Sequence, residues 1–184
     1  DKIFSRTIDG KDVPVFLKKE FTDAIPSLKK ENLKHHEYAR KTIQTLFSPE
    51  LIRTASVKTF NYTKSCIIFN HGNGHFSVKE LPLAAQLSSI NAILCRDINK
   101  DGKTDLLLAG NTLNCLPQFG RLDANYGLVY LNKGDGSFNE LAPALSGITF
   151  TGMVRDIISI DEKNKQFILF LRNNDYPVMY RLRD

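Results

Sequence analysis

The chain has 184 residues, 42% of them hydrophobic and 24% charged, a composition typical of a globular protein long enough to bury a core. Its formal net charge of +5 comes from lysines and arginines spread along the whole length with acids between them. No dense basic run with interleaved aromatics marks a nucleic-acid surface, and no apolar stretch approaches the roughly 18 residues of a membrane span. The sequence opens on Asp1 with neither a Met start nor a leader, and so reads as a processed piece of a longer protein.

Residues 1–16 read as strands, and "DKIFSRT" reads like the later "DLLLAGN" when Asp1 is matched to Asp105. Residues 17–55 have a different character. Pro26 and Ser27 open a helix-like, imperfect apolar spacing through Leu28, Leu33, Ala39, Ile43, Leu46 and Phe47. Ser48-Pro49 then reads as an N-cap followed by proline at the first position of another short helix. The charged face of this helical insertion (Lys29, Lys30, Lys34, Lys41) reads as solvated surface.

From residue 56 onward the chain repeats. "FNHGNGHF" starting at Phe69 and "LNKGDGSF" starting at Leu131 share Asn, Gly, Gly and Phe in place, at an offset of 131 − 69 = 62. The same offset lays "LLLAGN" onto "ILFLRN" and Asn111 onto Asn173. Residues 56–111 and 112–173 are therefore read as tandem copies, with 174–184 as a closing strand. Within a copy, "SCIIF" and "HFSVKEL" (or "GLVYL" and "SFNEL") flank a Gly-rich turn as one hairpin, and "INAILCRD" with "TDLLLAGN" forms a second. Four strands in about 62 residues, repeated in tandem, point to a mainly β fold. The expected form is a partial β-propeller-type array of four-stranded blades with a helical insertion. An arc of two or three blades leaves blade faces without neighbours, so the fragment is expected to self-associate or to lay its helical segment over one face.

The most informative stretch is "DINKDGKTD". Asp97, Asn99 and Asp101 place side-chain oxygens at alternate positions, Gly102 permits a sharp turn, and Asp105 follows. A hard cation such as calcium asks for this pattern; a solvated Asp/Asn/Gly turn is the ordinary alternative. Three carboxylates in nine residues repel one another without a cation, although Lys100 and Lys103 relieve part of that. Position 12 is Leu108 and no helices flank the loop, so it is not an EF-hand.

Other features carry less. Cys66, Cys95 and Cys115 form no CxxC and read as small buried hydrophobes. His71 and His75 straddle a hairpin turn, which argues against zinc. Arg121, Asp123 and Tyr126 lie in the long connection 112–126, a candidate ligand-binding loop that reads equally well as a packed connector. Asn61-Tyr-Thr63 fits the glycosylation sequon. There is no nucleophile elbow, phosphate loop or supported carboxylate pair, so the chain reads as a non-enzyme.

Together, "DINKDGKTDLLLAGN" and "YGLVYLNKGDGSF" resemble the FG-GAP/VCBS repeats of extracellular β-propellers, the integrin α-subunit heads among them. With the helical insert "DGKDVPVFLKKE", the chain is most similar to the C-terminal part of bacterial VCBS-repeat surface proteins. The founding motif's Phe-Gly is missing before the loop, and Ala109-Gly110-Asn111 stands where Gly-Ala-Pro would. The resemblance implies calcium held by Asp97, Asn99, Asp101, the backbone carbonyl of Lys103, and Asp105. It further implies an extracellular, cell-surface or periplasmic module that binds a protein or glycan, or an accessory portion of a secreted carbohydrate-active enzyme. Asp1 would be the last ligand of a preceding loop. Carried forward by 62, the loop positions fall on Ser159, Asp161, Lys163, Asn164 and Phe167, so the third copy is expected to be an ordinary metal-free hairpin and the chain to bind one calcium.

Overall fold

The computed structural model describes residues 2–163 and 165–183; Asp1, with its expected ligand role, and Asn164 lie outside them, as does Asp184. The chain is mainly β, with several antiparallel sheets, and forms two compact units, Asp1–Asn61 and Tyr62–Asp184. Among the described residues the sheets close into no barrel or ring. No helix there is long and apolar enough to cross a membrane.

The first unit opens with a hairpin of β1 (Ser5–Ile8) and β2 (Lys11–Pro14). Its two-residue turn is Asp9-Gly10, both at positive φ (49° and 72°), the conformation that matches strand twist in tight hairpins. Five short helices follow: α1 (Lys18–Ala24), α2 (Leu28–Glu31), α3 (His35–Tyr38), α4 (Ile43–Leu46) and α5 (Pro49–Thr54). Ser48 caps α5 as expected, its Oγ accepting the Leu51 N–H with Pro49 in the first turn. Phe21, Leu28, Tyr38 and Leu46 form the core of this unit. Asp12 ties the hairpin to α4, accepting from Thr7 Oγ1 at 2.7 Å and Gln44 Nε2 at 2.8 Å.

Two positions of the expected apolar face do not face inward. Leu33 is 74% exposed and Ala39 is also outside, while their neighbours Asn32 and Tyr38 are buried. The segment is several helices with breaks between them, and each break resets the helical phase. Tyr38 is then fixed inside by its hydroxyl, which donates to the Phe16 carbonyl at 2.9 Å.

The second unit stacks three layers. The first is a hairpin of β3 (Cys66–Asn70) and β4 (Phe76–Glu80). The second is an antiparallel sheet of β5 (Ile90–Arg96), β6 (Asp105–Gly110), β7 (Leu128–Asn132) and β8 (Phe138–Leu141), in that spatial order. The third is β9 (Val154–Glu162), β10 (Lys165–Arg172) and β11 (Val178–Leu182), with β10 central. A short helix, α6 (Pro143–Ser146), lies between β8 and β9. Strand β6 explains the stacking. Its run "LLLAG" is apolar on both faces, as a strand buried on both sides must be. Leu107 and Ala109 join Val129, Ile157, Ile168 and Phe170 on one face; Leu108 and Leu106 join Tyr130, Ile67 and Leu81 on the other.

The hydrogen-bonded sheet β5–β8 takes its first two strands from residues 56–111 and its last two from 112–173, so layers and sequence copies are half a repeat out of phase. The hairpins keep one register: Ile68 pairs with Val78 and Asn70 with Phe76, as Tyr130 pairs with Glu140 and Asn132 with Phe138, 62 residues on.

Candidate metal centre

The acidic loop joins β5 to β6 and curls tightly, with Lys100 at φ 60° and Gly102 at φ 82°. Its side-chain oxygens turn inward onto backbone N–H groups. The Asp101 N–H lies 3.1 Å from Asp97 Oδ1 and 3.2 Å from Asn99 Oδ1, so these two oxygens converge on one point. Asp97 Oδ2 accepts from the Gly102 N–H at 2.9 Å. Asp101 Oδ1 accepts from the Lys103 N–H at 2.9 Å; Asp101 Oδ2 receives Asn99 Nδ2 at 3.2 Å and the Lys103 ammonium at 3.3 Å. The Lys103 backbone N–H does most to hold the Asp101 carboxyl below the usual carboxylate range, and the Asn99 and Lys103 side chains add to it.

Asp105 is placed differently from the other three. It is fully buried at the start of β6, where Oδ2 accepts from the Ile98 N–H at 2.9 Å and Oδ1 from the Asn132 N–H at 2.8 Å. It therefore staples the loop entrance to the end of β7, and Asn132 Nδ2 returns a bond to the Thr104 carbonyl at 2.9 Å. Among the described residues no three His, Cys, Asp or Glu side chains gather as a metal cage. The loop offers two carboxylates and a carboxamide in one cluster, with Asp105 engaged behind it. That donor set is all oxygen, which fits a hard cation, while Asp101 Oδ2 already accepts from both Asn99 Nδ2 and the Lys103 ammonium. Lys103 already supplies positive charge there, and an ion would have to compete with it.

The third copy departs from a uniform offset of 62. Phe167 pairs with Ile160, whereas Asp105 pairs with Arg96, so the strand before the turn is offset by 160 − 96 = 64. This places Asp161, not Ser159, level with Asp97. Ser159 lies within β9 opposite Ile168, and Asp161 forms an ion pair with Arg96, with Nη2–Oδ1 at 2.7 Å.

The long connection 112–126 is tied at its base. Thr112 and Leu122 exchange backbone hydrogen bonds of 2.8 and 3.1 Å. Asn111, buried and at φ 80°, does the rest: Oδ1 accepts from Ser88 Oγ and the Asn125 N–H, and Nδ2 donates to the Asn125 and Gly152 carbonyls. Arg121 and Asp123 meet as an exposed pair at 3.7 Å, and Tyr126 lies half exposed beyond the staple. The sequence landmark Asn111 was legible as a repeat match, but its role as hub was not, because its partners lie 14 to 41 residues away.

A second feature, missed from sequence, is a cleft of about 610 Å³ between the two repeat-equivalent hairpins. Phe69, His71, Ser77 and Lys79 line one wall, Asn132 and Asp135 the other. His71 Nε2 and Ser77 Oγ are 2.7 Å apart. Ser137 holds the Asp135 carboxyl below the usual range, through its hydroxyl first and its backbone N–H second, with a smaller contribution from Lys79. The paired Gly-x-Gly turns were the available signal. The three cysteines are free thiols, and the expectation that they are buried does not hold: Cys95 is exposed on the outward side of β5, and Cys66 and Cys115 are half-buried.

Comparison with protein families, curated proteins and solved structures finds no match to this chain.

Proposed function

We propose that the chain is a calcium-stabilised, non-enzymatic module of a propeller-type repeat array similar to FG-GAP/VCBS proteins, acting outside the cytosol in protein or glycan binding. The observation that carries this reading is the convergence of the Asp97 and Asn99 oxygens on the Asp101 N–H, with the Asp101 carboxylate beside them. Asp97, Asn99, Asp101 and the Lys103 carbonyl would hold the ion, and Asp105 would anchor the loop or share in ligation. Calcium would neutralise like charges and tie β5 to β6, with no chemical step. The ligand would meet the loop 112–126, whose stapled base presents Arg121, Asp123 and Tyr126 from a rigid sheet.

Calorimetric titration of wild type and Asp101→Ala tests the reading. An affinity of roughly 10⁻⁴ to 10⁻³ M is expected, as for extracellular calcium modules. Tenfold excess over Kd should stabilise the fold by about 1.4 kcal/mol. Equal calcium heats in both proteins would sink the idea.

A further inference from the structure

The cleft between hairpins β3–β4 and β7–β8 lies between two adjacent layers, and all its lining residues belong to the second unit. One wall follows from strand alternation. Phe69, Ser77 and Lys79 project from the same face of β3–β4 as Ile67, which packs in the cluster of Tyr130. His71 continues that wall past the strand end, its Nε2 2.7 Å from Ser77 Oγ. On the other wall Asn132 is fixed three ways. Its N–H donates to Asp105 Oδ1, its Nδ2 donates to the Thr104 carbonyl, and its Oδ1 accepts from the Gly134 N–H. Asp135 follows in the turn, its Oδ1 accepting from the Ser137 N–H at 2.8 Å. The walls meet where the Phe69 ring rests on Gly136: a Cβ added there would come within 3.2 Å of Phe69 Cζ.

The repeat separates this cleft from ordinary layer packing. At the offset of 131 − 69 = 62, the positions of Phe69 and Lys79 become Leu131 and Leu141, and both leucines pack against the core beneath β9–β11. His71 becomes Lys133 and Ser77 becomes Asn139. The turn residues Asn70, Gly72 and Gly74 recur as Asn132, Gly134 and Gly136, so the scaffold repeats while the polar set does not. A lysine in place of a packed leucine leaves a space of about 610 Å³ at the first junction. Small-molecule sites occupy about 300–1,000 Å³.

The charges in the cleft select the ligand. Lys79 and Asp135 stand on opposite walls; Ser137 does most to lower the Asp135 carboxyl, and Lys79 adds to it across the opening. An anion placed between them would meet Asp135, a cation would meet Lys79, and a wholly apolar ligand would strip water from both. A hydroxyl can accept from an ammonium and donate to a carboxylate, so a ring of adjacent hydroxyls serves both walls while its C–H face rests on Phe69. We infer that this cleft binds a neutral saccharide, held between Lys79 and Asp135 with Phe69 as its apolar floor. It is a second binding site, separate from the loop 112–126, and it does not rest on the calcium reading.

The test is an amide proton–nitrogen NMR titration of the full chain in chelator, so that its failure and that of the calcium reading are distinguishable. The probes are glucose, galactose, mannose, N-acetylglucosamine, maltose and cellobiose, with glycine as a zwitterionic and sialyllactose as an anionic comparator. At least one neutral sugar should shift the amides of Ser77, Lys79, Gly134, Asp135 and Gly136 and leave those of 112–126 in place. Lys79→Met, and Asp135→Asn, which keeps an acceptor for Ser137, should each weaken that binding about tenfold, as expected for loss of a hydrogen bond to a charged group. Both residues are exposed, so the melting temperature should stay unchanged; if Asp135→Asn disturbs the turn and lowers it, Lys79→Met alone decides. Shifts by none of the neutral sugars, or shifts confined to another surface, overturn the inference. So does sugar binding that Lys79→Met leaves intact, or a cleft that answers only to glycine or sialyllactose.

Discussion

Arg96 on β5 grips Asp161 on β9 with both arms of its guanidinium, Nη2 to Oδ1 at 2.7 Å and Nη1 to Oδ2 at 3.2 Å. The pair links two layers at the end of the stack where the acidic loop emerges. It also sets a fixed cation against the carboxylate at the position equivalent to Asp97, where a metal ion would have to compete with it. The Arg96 side chain is largely covered and that of Asp161 largely exposed. Two-pronged geometry favours the pair and solvent screening weakens it. A double-mutant cycle of Arg96→Ala and Asp161→Ala should give a coupling of about 0.5–1 kcal/mol that shrinks in high salt. A coupling indistinguishable from zero at low salt would show that the contact is incidental.

Asp105 should matter more for folding than any other acid of the loop. Both of its oxygens accept backbone N–H groups in a fully buried place. Asn at that position turns an NH₂ toward one of those donors and leaves a buried N–H unmet, at a cost of about 1–3 kcal/mol. Asp105→Asn should therefore lower the unfolding free energy by that amount even with calcium chelated, as read by denaturant titration. A loss seen only in the presence of calcium would mean that the carboxylate serves the metal and not the sheet.

Tyr130 gives a pH signature. Burial pushes its hydroxyl up to about 12, with nearby Glu140 adding to the effect. The unfolded tyrosine titrates near 10, so between about pH 10 and 12 the folded chain keeps a proton that the unfolded chain has released. The associated stability is complete below pH 10 and is lost as pH rises through 12. Tyr38 in the other unit is raised to about 12 in the same way, also by burial first. The Ala85 backbone lies near the Tyr130 hydroxyl, yet among the described residues no partner meets hydrogen-bond geometry. Tyr130→Phe should then be neutral or stabilising by up to about 1 kcal/mol at pH 7, and should flatten the alkaline decline. A loss above 1 kcal/mol at pH 7 would reveal a hydrogen bond worth keeping.

Strands were legible where both faces are buried or where a Gly-rich turn punctuates them: "LLLAG", "GLVYL" and the two Asn-x-Gly-x-Gly turns all lie in or between observed strands. The phase of the layers was not, because any 62-residue window of a tandem array contains four strands. Only hydrogen bonding decides that Leu106 pairs with Tyr130 and joins the two copies in one sheet. The helical segment misled at Leu33 and Ala39 because periodicity assumes one continuous helix. In the acidic loop the alternating oxygens were plain, but the burial of Asp105 depends on Asn132, 27 residues away, and local spacing carries no trace of that.

The loop's own lysine provides the sharpest check on calcium. The Lys103 ammonium lies 3.3 Å from Asp101 Oδ2, and its stem runs against Gly134, where an added Cβ would approach the lysine Cε within 3.1 Å. The side chain is thus held over the cluster as an internal counter-ion, while its backbone carbonyl is left unchanged by substitution. Lys103→Met keeps the stem and removes the charge. Without calcium, Asp97 and Asp101 then lose a neutralising partner, and the loop should open more readily to hydrogen exchange. With calcium, the ion no longer competes with an ammonium a few ångströms away. A like charge at that distance in a partly screened site is worth on the order of 1 kcal/mol, which converts to about a fivefold gain in affinity. The expected result is tighter calcium binding together with lower apo stability, read by calorimetry and by melting in chelator. Weaker calcium binding in Lys103→Met would mean that the lysine orders the loop for the ion instead of standing in for it.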